Sequence, residues 1–259
     1  MTSIAIQGIQ YDEKSSFLKG PAQAPPMIRE AFYSDSSNLF SEDLRDLSLL
    51  SINQAGDFKN ISYTEIESTT EKSLAQGDKL LTLGGDHSIT FPIVRALHKK
   101  HPDIDILHID AHADLYHEFE GDPYSHACPF ARIMEGRYAK RLVQVGIRTL
   151  NTHQKEQAEK YNVEVHEMRD FDQSKIPSFQ NPLYISLDMD AFDPGFAPGV
   201  SHYEPGGLSP RQVIDLIQSI DAEIIGADVV EYNPTRDINN ITAYLAAKMM
   251  KEFLAKMAS

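Results

Sequence analysis

The chain has one cysteine, Cys128, no tryptophan, and no apolar run approaching the ~18–20 residues that span a bilayer. A lone cysteine excludes an internal disulfide and any Cys-rich zinc set, and it fits a reducing, cytoplasmic setting. Positive charge is scarce: Lys and Arg total 24 against 38 Asp and Glu in 259 residues, a net −14. Such a surface repels nucleic-acid phosphate and anionic lipid, so neither nucleic acid nor membrane is an expected partner. It attracts metal ions or a cationic substrate. The start, Met1 to Gly8, lacks a basic stretch and a long apolar core, so no secretory signal is expected. At 41% hydrophobic and 24% charged residues, the composition is that of a globular protein, not a collagen, a coiled coil or a disordered tail.

What is present is alternation. Short apolar runs at Ser3–Ile9, Lys79–Leu83, Ile104–Ile109, Leu142–Ile147, Val163–His166, Leu183–Leu187 and Glu223–Val229 read as strands. Helical patterns fall between them, near Pro26–Phe32, Thr64–Gln76, Phe91–Lys100, Pro129–Tyr138, Thr152–Tyr161, Pro210–Ile220 and Ile241–Met257. Near-continuous apolar strands suit a parallel sheet covered on both faces, hence an α/β fold. The polar stretch 34–60 reads as an irregular surface connection. No composition shift or repeat divides the chain, so residues 1–259 are expected to form one domain.

Chemistry gathers after the strands, where open parallel sheets bind ligands. Lys79–Leu83 leads into Gly84-Gly85-Asp86-His87-Ser88, and Ile104–Ile109 into Asp110-Ala111-His112-Ala113-Asp114. Leu183–Leu187 leads into Asp188-Met189-Asp190, and Glu223–Val229 into Val230-Glu231. Side chains two apart on extended backbone share a face, so Asp110, His112 and Asp114 can converge, as can Asp188 and Asp190. Converging carboxylates repel unless a cation lies between them. Four carboxylates balance two divalent ions, and His87 adds a sixth ligand. Oxygen and imidazole donors without thiolate favour Mn²⁺, and paired metals suit hydrolysis. Gly84-Gly85 is not a phosphate loop, because no Gly-Lys-Ser/Thr follows.

These three clusters resemble the signatures of the ureohydrolases, the arginase/agmatinase family. The segments Ser15–Ala31, Tyr124–Gly136, Phe196–Leu208 and Gly226–Asp237 extend the likeness over essentially the whole chain, toward the plant-type arginases. The resemblance implies a three-layer α/β/α fold, mostly parallel, assembled into trimers or hexamers. It implies two Mn²⁺ per chain. His87, Asp110, Asp114 and Asp188 would hold one, and Asp110, His112, Asp188 and Asp190 the other, so that Asp110 and Asp188 bridge. It places a proton-shuttling histidine at His126 and a guanidinium-binding carboxylate at Glu231. Asp86 is expected to orient a metal-bound histidine.

The implied reaction is hydrolysis of a guanidinium group by a metal-bridging hydroxide, giving urea and an amine. A near-neutral His126 would protonate the departing amine. The loop from Leu115 to Tyr124 lacks the Asn, Thr and Ser that hold the α-carboxylate in animal-type arginases. Its acids Glu118, Glu120 and Asp122 favour an amine tail, and Asp172 is a candidate for an amino group. Agmatine is therefore the favoured substrate, with arginine or another guanidino compound as the alternative. A zinc deacetylase would need a His-His pair, which is absent. A metal-stabilised binding protein would be expected to have lost a ligand, His126 or Glu231.

Overall fold

The computed structural model describes residues 2–259. Its strands are β1 (Ser3–Gln10), β2 (Ser51–Lys59), β3 (Lys79–Leu83), β4 (Asp105–Ile109), β5 (Arg141–Ile147), β6 (Glu164–Glu167), β7 (Leu183–Asp188) and β8 (Ile224–Val230). They form one sheet in the order β2-β1-β3-β8-β7-β4-β5-β6, and every pairing is parallel. The helices are α1 (Ala24–Phe32), α2 (Ile66–Leu74), α3 (Thr90–His98), α4 (Pro129–Glu135), α5 (Thr152–Tyr161), α6 (Pro210–Ser219) and α7 (Ile241–Met257). Residues of α1, α6 and α7 pack on one face of the sheet and residues of α3, α4 and α5 on the other, giving three layers.

Local chemistry sets several of these boundaries. Ser209 caps α6 through the amide of Gln212, whose side chain answers to the Ser209 amide, and Pro210 occupies the first turn. Asn151 caps α5, and Asn162 ends it in the left-handed region at φ 53°.

The stretch 34–60 is not wholly irregular: it contains β2, an edge strand parallel to β1. Ser-Ile-Asn-Gln-Ala-Gly-Asp-Phe-Lys shows no apolar run because none of its residues is fully buried. A register shift opposite Ile6/Gln7 and Gly56 at φ 107° interrupt its pairing.

The two sheet faces differ. Under α1, α6 and α7, Ile6, Leu83, Ile109, Val145, Leu187 and Val229 belong to a continuous apolar core. On the opposite face, one register level carries Gln7, Thr82, Asp228, Ser186, His108 and Gln144 across six adjacent strands. All six are fully buried. This polar row lies just below the strand ends that carry the acids.

Candidate metal centre

Gly85 lets the loop after β3 pass close to the segment after β1. A Cβ there would lie 1.7 Å from the Tyr11 carbonyl oxygen. That approach allows the Asp86 amide to donate to Tyr11 at 2.9 Å, and Gly85 itself accepts the Glu231 amide at 2.9 Å. His87 and Glu231 are thereby drawn together. Glu231 and Asp114 both sit in the left-handed region, at φ 62° and 49°. That conformation costs roughly 1–2 kcal/mol for a residue with a Cβ, and it recurs here at two candidate site positions.

Nδ1 of His87 faces Asp188 Oδ2 at 3.1 Å and Asp110 Oδ2 and Asp114 Oδ2 at 3.2 Å each. Nδ1 of His112 faces Asp190 Oδ2 at 3.0 Å and Asp110 Oδ1 at 3.5 Å. Two compact groups result, His87/His108/Asp110/Asp114 and Asp110/His112/Asp190, with Asp110 in both. Asp188 joins the first through its contact with His87, and its Oδ1 accepts the Asp190 amide at 2.7 Å.

These donors fit divalent cations. A ring nitrogen carries at most one hydrogen, so at most one of the three oxygens around His87 Nδ1 can receive it. Burial, with Asp190 and Asp110 alongside, pushes the Asp188 carboxyl well above its usual range. Burial raises Asp190 too. For Asp110 burial acts the same way, but His108, His112 and His87 outweigh it and hold the group well below. Three carboxylates crowded at one point, with hard oxygen and imidazole donors and no thiolate, form a receptor for a cation.

His87 is held from behind. Its Nε2 lies 2.9 Å from Ser186 Oγ, which donates to Asp228 at 2.7 Å. Tyr184 and Thr90 also donate to Asp228, at 2.6 and 2.7 Å. Asp86, expected to orient a histidine ring, does otherwise. Its Oδ1 accepts the Ser88 amide at 3.0 Å and its Oδ2 the Lys14 amide at 3.0 Å, pinning the loop after β1. Ser186 and His108 are the ring and carboxylate partners that sequence reasoning missed. The signal was there: each is a polar residue inside an apolar strand, two positions before Asp188 or Asp110.

Beside the clusters, His126 Nδ1 lies 2.8 Å from Glu231 Oε1. The same oxygen accepts the His87 amide at 2.9 Å. Burial opposes protonation of His126, but the Glu231 charge outweighs it and lifts the pKa to about 9, not the near-neutral value expected. Bound cations would act against this rise. Burial likewise opposes ionisation of Glu231, yet the pairing with His126 keeps it below its usual range. The Ser16 amide donates to His126 Nε2 at 3.1 Å, and Ser16 Oγ lies 2.7 Å from it. The first ring proton therefore belongs on Nδ1, toward Glu231. A second, on Nε2, would be received by Ser16 Oγ only once the Ser16 amide no longer donates to that nitrogen.

These residues open into a cavity of about 230 Å³, lined among others by Ser16, Tyr116, Gln154, His202 and Glu204. No Lys or Arg is among the described lining residues. Glu118 and Glu120 are exposed and lie outside the lining, and Asp122 is paired with Lys14 at 2.6 Å. Asp172 is exposed as well, capping the turn at Ser174, away from the cavity. Glu118 and Asp172, expected at the substrate tail, are thus both exposed and outside the cavity lining. Cys128 is fully buried, and that burial pushes its thiol up to about 12.

An all-parallel three-layer sheet with acid–histidine groups at its carboxyl edge defines an α/β protein built around a candidate metal centre. The arginase family model matches residues 2–255. The chain is 47% identical to the mitochondrial arginase of Medicago truncatula, over 98% of this chain and 82% of that protein. The chain therefore belongs to the arginase family. The solved structure of arginase from Medicago truncatula superposes with a TM-score of 0.93 at 45% identity, covering 99% of this chain and 87% of that one. An agmatinase of Bacillus anthracis is 32% identical over 98% of this chain and 91% of its own length.

Proposed function

We propose that residues 1–259 form one manganese-dependent ureohydrolase domain that hydrolyses arginine to ornithine and urea. The observation that carries this reading is the sharing of Asp110 by two acid–histidine groups, next to the His126–Glu231 pair. His87, Asp110, Asp114 and Asp188 would hold one Mn²⁺, and Asp110, His112, Asp188 and Asp190 the other. When bound, such a pair supplies Lewis acidity and a water acidic enough to lose a proton near neutral pH.

The chain's own residues account for the remaining steps. Glu231 Oε1 is taken by His87 and His126, and its ionised carboxylate presents Oε2 to a guanidinium. The oxygen of a water that has lost one proton adds to the guanidinium carbon. The bond from that carbon to the tail nitrogen breaks as the added hydroxyl releases its proton, which replaces the one His126 gives up, and urea forms. The departing amine takes a proton from His126 Nε2, and Ser16 Oγ steadies that nitrogen.

Arginine is preferred to agmatine for two reasons. The relatives at 43–47% identity are named arginases, whereas the agmatinase is at 32%. The acids that favoured agmatine lie outside the cavity. Agmatine remains the second reading, because no Lys or Arg among the described lining residues meets an α-carboxylate. Urea release from arginine and agmatine at matched concentrations with Mn²⁺ decides between them. A kcat/KM for arginine at least tenfold above that for agmatine supports the first reading, and the reverse order supports the second.

Homo-oligomerisation as a trimer or hexamer belongs to the same proposal. Exposed Phe17, Ile238, Ile241 and Tyr244 offer apolar surface for it. None of the described helices is long and apolar enough to cross a membrane. Cytoplasmic residence is proposed on the single cysteine, and the names of the mitochondrial relatives set the competing compartment.

A further inference from the structure

The polar row ends at a pair not used in the reaction. His108, one residue before the carboxyl end of β4, and Gln144, its register partner on β5, are both fully buried. Gln144 Nε2 donates to the Ala113 carbonyl at 2.6 Å and lies 2.9 Å from His108 Nδ1. A carbonyl oxygen only accepts, so a turned amide would set oxygen against oxygen at that separation. The amide nitrogen must face both partners, and its second hydrogen needs a lone pair on His108 Nδ1. The ring proton then sits on Nε2, 2.7 Å from Asp110 Oδ2. Phe130 stacks on the ring, centroids 3.8 Å apart and planes 27° from parallel, and holds its plane. Gln144 Oε1 is buried without a hydrogen-bond partner among the described residues, so the arrangement forgoes one bond to keep nitrogen against His108.

The far oxygen of Asp110 is gripped separately. Oδ1 accepts the His112 amide at 2.6 Å. Each carboxylate oxygen therefore has its own donor and points toward its own acid–histidine group.

We propose that Gln144 selects the Nε2–H tautomer of His108, and that His108 thereby fixes the carboxylate plane of Asp110. Both are positioning residues, and His108 is not a metal ligand although it belongs to a compact ligand group. Ligation through Nε2 would need a lone pair there and a proton on Nδ1, which the Gln144 nitrogen opposes. This inference rests on the two-metal reading of the site.

The test uses the full chain, its Gln144→Leu and His108→Phe variants, and three readouts. Ring ¹⁵N shifts of His108 report the tautomer in chelated protein. Competition with a chelator reports Mn²⁺ affinity and the number of ions bound. Thermal unfolding of the chelated proteins checks the fold. We expect a protonated Nε2 and bare Nδ1 in the parent, and a changed tautomer pattern in Gln144→Leu. Both variants should bind Mn²⁺ about ten- to a hundredfold more weakly, the effect typical of a residue supporting a metal ligand, yet still fill both positions at saturation. A protonated Nδ1 in the parent, unchanged affinity in both folded variants, or loss of one ion at saturation in His108→Phe would each overturn the proposal. A parent chain that binds no divalent ion at all would remove the two-metal reading and the positioning role together. The tautomer spectrum tells that failure from one confined to Gln144 and His108.

Discussion

His126 Nδ1 and Glu231 Oε1 lie 2.8 Å apart, and the same oxygen accepts the His87 backbone amide at 2.9 Å. One carboxylate thus ties the candidate proton donor to the loop that carries a candidate metal ligand. Among the described residues, the hydrogen bond that joins the pair to the candidate metal ligands runs through the His87 backbone amide.

His126→Asn should lower turnover about 10²–10⁴-fold, the usual contribution of a positioned proton donor. Bound Mn²⁺ should stay near the parent level, because His126 faces Glu231 and Ser16 rather than the acid cluster. Steady-state kinetics and metal analysis on one preparation check this. Loss of metal in the variant would show that ligand and shuttle have been confused.

The pH dependence of stability has a definite sign in chelated protein. The folded pKa of His126 is raised to about 9 from the ordinary 6.5. The pair's contribution is therefore fully present below 6.5 and is lost as pH rises through about 9. The gap in unfolding midpoint between parent and His126→Asn should be wide at pH 6 and narrow above pH 9, as ~2.303RT of linkage per proton requires. A gap that widens with pH would contradict the pairing.

Tyr184→Phe removes one of three donors to buried Asp228 without changing side-chain shape much. Loss of a hydrogen bond to a buried charged group costs roughly 1.5–3 kcal/mol. Urea denaturation should show that loss of stability, with Mn²⁺ content at saturation retained.

Glu118→Gln with Glu120→Gln should leave kcat/KM for arginine and agmatine within about twofold of the parent, as for ordinary surface substitutions. Both side chains are exposed outside the cavity. A selective loss with agmatine would return these acids to the substrate path.

Much of this was written in the sequence. Six strands appear as apolar runs because both faces of a covered parallel sheet are buried, and the acids stand where several of those runs stop. Strand β6, at the other edge, is only half-buried and shows in the sequence as a short Val-rich alternation. Strand β2 was hidden because an edge strand with exposed positions has no such run. Ser186 and His108 were hidden by the opposite effect: a single polar residue inside an apolar strand reads as an interruption, and only the register shows that six of them align. Loop side chains were the least legible. Glu118 and Asp172 have the right charge, but whether a loop acid faces a cavity or solvent depends on backbone turns that charge does not encode.

The most direct test of a paired metal centre is a count of bound ions. Chelated protein reloaded with saturating Mn²⁺ should approach two ions per chain, and Asp110→Asn should weaken both positions because Asp110 reaches both groups. A parent stoichiometry that stays near one, or an Asp110→Asn variant that loses one ion and keeps the other at full affinity, would contradict a shared Asp110.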